Sequence, residues 1–281
     1  MNYREAYVRF VFADNVSGSN KAGSYVKALD YLAQMMERSA LFGSSHFWSI
    51  ESSEKVQQLY DYALTSQKQE GSIFLDEDFP PSYGRNRYYS AALRSYGQFL
   101  VTHQYEETLW DVYQRSEVSG VDLAQALAER SIPSVEAFEG DDSLSGRSGK
   151  DIERVVKNRL GQGFFRKMIL SEYDSKCCVT GLDIPEVLRA SHIASWASDK
   201  DNRLNPANGL CLSATYDAAF DRHLISFDDD YRMVLGPSLR DQYSNEAFKN
   251  YFLDFEGSQI AQPRRFWPDQ SLLESHRNKL A

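Results

Sequence analysis

The sequence predicts an α+β protein: a helical N-terminal domain over residues 1–138, a linker at 139–149, and a domain over 150–281 in which short strands are flanked by helices. Three observations predict it. Apolar residues recur at spacings of three and four through the first 130 residues, the mark of amphipathic helices. The stretch EGDDSLSGRSG at 139–149 holds one apolar residue, Leu144, among Gly, Ser and charged residues. Beyond Cys178, short apolar runs alternate with turn-rich stretches, as strands do.

In the first part, one helical face is defined by Tyr25, Leu29, Leu32 and Met36. A second is defined by Val56, Leu59, Tyr60 and Ala63, and a third by Tyr89, Ala92, Leu93, Tyr96 and Leu100. Three packed helices are the simple reading. FGSSHFWS at 42–49 and FPPSYGRN at 79–86 read as breakers, with Ser49 as an N-cap and the paired prolines stopping regular structure. A shorter helix is expected over 121–130. After the linker, Ile152, Val156, Leu160, Phe164 and Met168 step at four-residue intervals, which predicts a helix interrupted near Gly161 and Gly163. A short strand then ends at Ile193, a polar loop runs to Asn208, and a second strand covers 209–212. TYDAAFDRH reads as a short helix and LISFDDDYRMVLG as a hairpin around its DDDY turn. SNEAFKNYFLDF and QSLLESHRNKL read as helices separated by PRRFWP.

Composition narrows the classes of function. The formal charge of −9 argues against a uniformly basic surface that coats nucleic acid, although it permits a basic cleft. No run approaches the roughly 18 to 20 apolar residues of a membrane span, and the charged N-terminus lacks a signal peptide's apolar core. A cytoplasmic protein is expected. Three cysteines, Cys177, Cys178 and Cys211, two of them adjacent, cannot form a disulfide framework and fit a reducing compartment. They are expected to pack as small apolar residues. No phosphate loop, GxSxG elbow or complete dinucleotide fingerprint is present.

The order strand, polar loop, strand, helix places His192 at the end of one strand, Asn208 before the next and Asp217 in the helix. These residue types suit phosphodiester hydrolysis, which needs a cation on the phosphate and a base that deprotonates water near neutral pH. Imidazole is such a base, and carboxylate oxygens suit a hard divalent ion. The expectation is that His192 and Asp217 face one shared, cation-sized gap open to solvent.

CVTG, ASHI, NGLCLS and DAAFDRHLISFDDD, in that order, resemble successive blocks of the HNH (ββα-metal) nuclease family, in its restriction-type and phage-defence branch. The resemblance covers about 156–239, with an echo in the FWP and SHR blocks near the C-terminus. SYVKALDYL and FPPSYGRNRYYSAAL are similar to domains found ahead of such nucleases and carry no assigned chemistry.

The resemblance implies that His192 is the general base and that Asn208 holds the loop and orients it. It also implies that Asp217 binds one Mg²⁺ or Mn²⁺ ion. Asp217 stands where many members carry a histidine, and Ala190 and Ser191 stand where many carry an aspartate ligand before the base. Either the metal has fewer protein ligands and more waters, or Asp221 or Asp183 supplies the missing oxygen; Asp221, four residues after Asp217, shares its helical face. Arg203, His223, Arg159, Arg166 and Lys167 are candidates for contact with DNA phosphates. The absence of Cys-x-x-Cys pairs argues against the structural zinc of many relatives. The implied activity is metal-dependent cleavage of double-stranded DNA in restriction or defence. A homodimer is expected because one ββα unit cuts one strand. Alternatives are a DNA-binding module that has lost the chemistry, and a nuclease gated by a ligand of the N-terminal domain.

Overall fold

Eleven α-helices and four short strands are found among the described residues of the computed structural model, which are 2–13, 19–39, 46–134, 149–242 and 245–281. The chain forms two compact units, one of Met1–Glu107 with Ser131–Val155, the other of Thr108–Arg130 with Val156–Ala281. All of the predicted linker except Gly149 lies outside the described residues.

The first unit contains helices α1 (Tyr3–Ala13), α2 (Lys21–Ser39), α3 (Ser53–Ser66), the short α4 (Pro81–Arg85) and the start of α5 (Tyr88–Arg115). The residues of the three predicted faces are buried, apart from the half-buried Tyr25 and Tyr60, with Leu29, Leu32, Val56, Leu59, Ala63, Tyr89, Leu93 and Tyr96 each almost fully enclosed. Aromatic rings fill the centre. Tyr96 lies 5.4 Å from Tyr7 and 5.0 Å from Phe47, and its hydroxyl donates to the carbonyl of Ile50 at 3.2 Å, so a buried phenol keeps a partner.

Two details depart from the sequence reading. Ser52, not Ser49, caps α3, accepting from the Lys55 amide; Ser49 sits in a 3₁₀ turn and donates to the carbonyl of His46. The paired prolines do not stop regular structure either. Pro81 opens α4 in its first turn, where a missing N–H costs nothing.

The second unit is built on α7 (Gly149–Glu172) from Val156 onward, together with the end of α5 and α6 (Gly120–Ala128). Strand β1 (Leu188–His192) pairs antiparallel with β2 (Gly209–Ser213), and α8 (Ala214–Asp221) follows at once. A hairpin of β3 (Ile225–Phe227) and β4 (Met233–Leu235) comes next. Its turn is closed by Asp228, whose carboxylate accepts from the amides of Asp230 and Arg232. Helices α9 (Pro237–Gln242), α10 (Glu246–Tyr251) and α11 (Gln270–Arg277) complete the chain. Among the described residues, the β part of the α+β class is two small two-stranded sheets, both in the second unit.

Helix α7 is not interrupted at Gly161 and Gly163. A helical glycine costs only about 1 kcal/mol relative to alanine, and Phe164, Phe165, Met168 and Ile169 are buried at 1% exposure or less, which outweighs that cost. Gly161 has a packing reason, because a Cβ there would lie 3.1 Å from the Trp196 ring. Gly209 has a stronger one. A Cβ on it would fall 2.3 Å from Ile169 Cδ1 and 2.8 Å from Phe165 Cζ, so only glycine lets β2 lie against α7.

Gly209→Ala is accordingly expected to lower stability by roughly 1–3 kcal/mol through overpacking. Gly163→Ala meets nothing within 4 Å and should be neutral or stabilising. Urea unfolding of the two variants should separate them in opposite directions. Equal midpoints would refute the close packing of β2 on α7.

Candidate active site

The pairing register sets the site. Leu188 opposes Ser213, Ser191 opposes Leu210 and His192 opposes Gly209, so the two strands close level with one another where the 193–208 loop leaves and returns. Asn208, fully buried, holds the loop shut. Its Oδ1 accepts from the Ala194 amide at 2.7 Å, and its Nδ2 donates to the carbonyls of Ala194 at 3.1 Å and Asn202 at 2.9 Å. The Ile193 amide adds a bond to the Asn208 carbonyl at 3.0 Å. Asn205 and Asp199 brace the loop from within, through Asn202.

His192 is the last residue of β1, and its ring is stacked on Phe165 of α7 at 3.6 Å and 16°. Trp196 meets it edge-on at 5.4 Å. Its Nε2 lies 3.1 Å from the Arg203 carbonyl. A carbonyl only accepts, so Nε2 carries the proton and Nδ1 keeps the lone pair, with no partner among the described residues. Burial lowers the imidazole pKa to about 4, against a smaller raising effect of the Arg203 carbonyl. The ring is thus neutral at pH 7, with one fixed tautomer.

On the other side of the strand, Ser191, 3% exposed, donates from Oγ to Asp217 Oδ1 at 2.5 Å. Asp221 follows one helical turn later, and its pKa is raised, first by desolvation and next by the charge of Asp217. Asp217, Asp221 and Ser191 thus form an oxygen-only group of two carboxylates and a hydroxyl, the donor chemistry of a hard divalent cation. No cluster of three or more His, Cys, Asp or Glu side chains able to hold a metal occurs among the described residues.

The structure does not set His192 and Asp217 face to face across one gap. Successive strand residues point to opposite faces, so Ser191 turns to α8 and His192 to α7. The period-2 pattern could have shown this from sequence. What it could not show is that a serine, not the histidine, meets Asp217.

The cations proposed for DNA contact have protein partners. Arg203 donates from Nε to the Trp196 carbonyl and from Nη1 to Asn158 Oδ1, with its guanidinium over the Trp196 ring at 5.2 Å. It braces the loop whose carbonyl holds His192. Arg166 donates to the carbonyls of Leu188 and Pro185, fixing the approach to β1. The Lys167 ammonium lies over Trp110 at 4.8 Å, and Arg159 is exposed on α7. His223, at φ 53°, pairs through Nδ1 with His276 Nε2 at 3.1 Å. Asp183 is exposed in the segment before β1. The three cysteines are buried free thiols, and burial pushes Cys211 up to about 12.

Residues 177–228 match the family model for the HNH endonuclease. The chain carries an HNH endonuclease domain. No curated protein matches the chain. The HNH match spans both strands, the loop, α8 and β3, and so contains Ser191, His192, Asn208, Asp217 and Asp221. Two residues outside it fasten the HNH segment. His276 of α11, 4% exposed, is bonded to Ser226 at Nδ1 and to the Phe220 carbonyl at Nε2. Its ring stacks on Phe220 at 3.7 Å. Glu172, 1% exposed at the end of α7, accepts from the amides of Arg265 and Phe266 and from the Tyr113 hydroxyl. His276 lies in the SHR block that echoes the family near the C-terminus, whereas Glu172 carried no motif in the sequence.

Two predictions follow from this packing. Asn208→Ala leaves the Ala194 amide and carbonyl without these partners and the Asn202 carbonyl with only the Asn205 amide, at 3.3 Å, and should cost about 2–4 kcal/mol, read as a lower urea midpoint with faster amide exchange over 194–208. The second concerns pH. His192 and His276 both titrate at about 4 when folded, below the usual 6.5, chiefly through burial. The unfolded chain therefore binds the extra protons, and the stability is complete above pH 6.5 and lost as pH falls towards 4, at no more than about 1.4 kcal/mol per pH unit for each histidine. Urea titrations at pH 7, 5.5 and 4.5 should show this slope, and His276→Gln should flatten it; an unchanged slope would contradict the buried neutral state.

Proposed function

We propose that the HNH domain hydrolyses phosphodiester bonds of double-stranded DNA with one divalent metal ion, in restriction or defence. The observation that carries this reading is the state of His192: neutral, held in one tautomer by the Arg203 carbonyl, with Nδ1 unclaimed at the end of β1. A base in that state takes a proton from water without first losing one of its own.

In-line displacement at phosphorus places the attacking water and the departing oxygen on opposite sides. Neighbouring residues of one strand point to opposite faces, and consecutive Cα atoms are only about 3.8 Å apart. A phosphate seated across the end of β1 would meet His192 on one side and the Asp217–Asp221 pair on the other. His192 accepts the proton of the attacking water. Asp217 and Asp221 would hold Mg²⁺ or Mn²⁺, which supplies positive charge against the leaving 3′ oxygen. Asn208 keeps the loop, and with it the Arg203 carbonyl, where the imidazole needs it. The expected products are a 5′ phosphate and a 3′ hydroxyl. A double-strand break would take two copies of the domain, hence a homodimer. The first unit serves recognition, regulation or dimerisation.

Burial of His192 against Phe165 favours one second reading, a DNA-binding module without chemistry. One assay separates the two. Supercoiled plasmid incubated with Mg²⁺ or Mn²⁺ should be nicked or linearised by the wild type, with at least a hundredfold loss in His192→Ala. Equal cutting by both would remove His192 from the reaction. Salt-dependent DNA binding by a wild type that never cuts would establish the binding module instead.

A further inference from the structure

The position before the base is occupied by Ser191, whose hydroxyl is enclosed at 3% exposure between β1 and α8. A hydroxyl buried there is costly unless bonded. Its cross-strand partner is Leu210, and alanine would fill nearly the same volume without a polar atom. The bond that Ser191 makes runs to Asp217 Oδ1 at 2.5 Å.

That bond has two consequences for the carboxylate. It fixes Asp217 about its side-chain torsions, and it occupies Oδ1 as an acceptor while Oδ2 has no partner among the described residues. It does so without adding charge. A third carboxylate at 191, within hydrogen-bonding distance of Asp217, would add repulsion to two carboxylates one helical turn apart. A neutral donor orients the oxygen and leaves the charge of the pair at two.

We infer that Ser191 is a positioning residue: its hydroxyl aims the Asp217 carboxylate for the divalent cation of the proposed reaction. The inference rests on that reading of Asp217 and Asp221, and extends it to a residue that itself takes no part in proton transfer. Groups that orient metal ligands in this way typically change metal affinity by 10–100-fold when removed.

The test is Mn²⁺ binding to the full chain without DNA, followed by the loss of free-ion electron paramagnetic resonance signal. Thermal unfolding and nicking as a function of Mn²⁺ concentration run alongside. Ser191→Ala should raise the Mn²⁺ dissociation constant by about tenfold, shift the nicking curve to higher Mn²⁺ by the same factor, and recover most of the rate at saturation. Ser191→Thr, which keeps the hydroxyl, should restore affinity. Should the alanine variant fail to fold, Ser191→Cys, nearly isosteric but a weak donor, should show the same loss. A folded Ser191→Ala or Ser191→Cys chain with wild-type Mn²⁺ affinity would overturn the role of Ser191 and leave the nuclease reading standing. A wild type that binds no Mn²⁺ would overturn both the inference and the cation assignment of Asp217 and Asp221.

Discussion

The buried amide of Asn208 is the constraint on which the rest of the site depends. Three hydrogen bonds from one side chain join Ala194, just after β1, to Asn202 in the middle of the loop and to Asn208 itself, just before β2. A loop of this length closes at an entropic cost that grows slowly with length, yet its middle would be free to wander without an internal anchor. Asn208 supplies the anchor, and the polar ladder through Asn205, Asn202 and Asp199 makes it stiff. The Arg203 carbonyl is thereby delivered to Nε2 of His192. Loop geometry, tautomer and protonation state are thus linked through one amide.

The second constraint is close approach. Helix α7 lies against the strands because Gly209 offers no Cβ to Ile169 and Phe165, and the loop tryptophan lies against α7 because Gly161 offers none to Trp196. Phe165 and Trp196 are the two rings that enclose the imidazole. The same packing that stabilises the unit therefore removes water from one side of His192 and lowers its pKa. Stability and the state of the imidazole are coupled here, and a substitution that loosens α7 from β2 would alter the proposed base even though it touches neither ring nitrogen.

Much of this was legible in the sequence, for reasons that can be stated. Periodicity located α2, α3, α5 and α7, because a helix on a core must repeat its apolar face. Four short blocks located the strands, loop and α8, because a strand end, an Asn-Gly and an acidic helix are local features. Ser49 was misread as the cap in place of Ser52, and the paired prolines as a stop, because capping depends on where the helix starts, to within a residue or two. The continuity of α7 was missed because glycine propensity is local, whereas the burial that overrides it at Phe164, Met168 and Ile169 is not. The partners of Arg166, Arg203 and Lys167 were beyond reach for the same reason. A basic residue in a sequence looks available to DNA; only the fold reveals the carbonyls of Leu188 and Trp196 and the ring of Trp110 that engage it.

The electrostatics on the two sides of β1 differ in a way that matters for turnover. On the α7 side an imidazole is kept neutral by burial, which makes it available at pH 7 but a weaker base than a histidine in water. On the α8 side Asp221 lies one turn from Asp217, and its pKa is raised first by desolvation and next by repulsion from the Asp217 charge. A cation held there by Asp217 and Asp221 would relieve that repulsion and, in the proposed reaction, supply positive charge against the leaving oxygen. In the proposed reaction neither side suffices alone: the imidazole accepts a proton but brings no positive charge, and the carboxylates without a cation add only negative charge to an anionic phosphodiester.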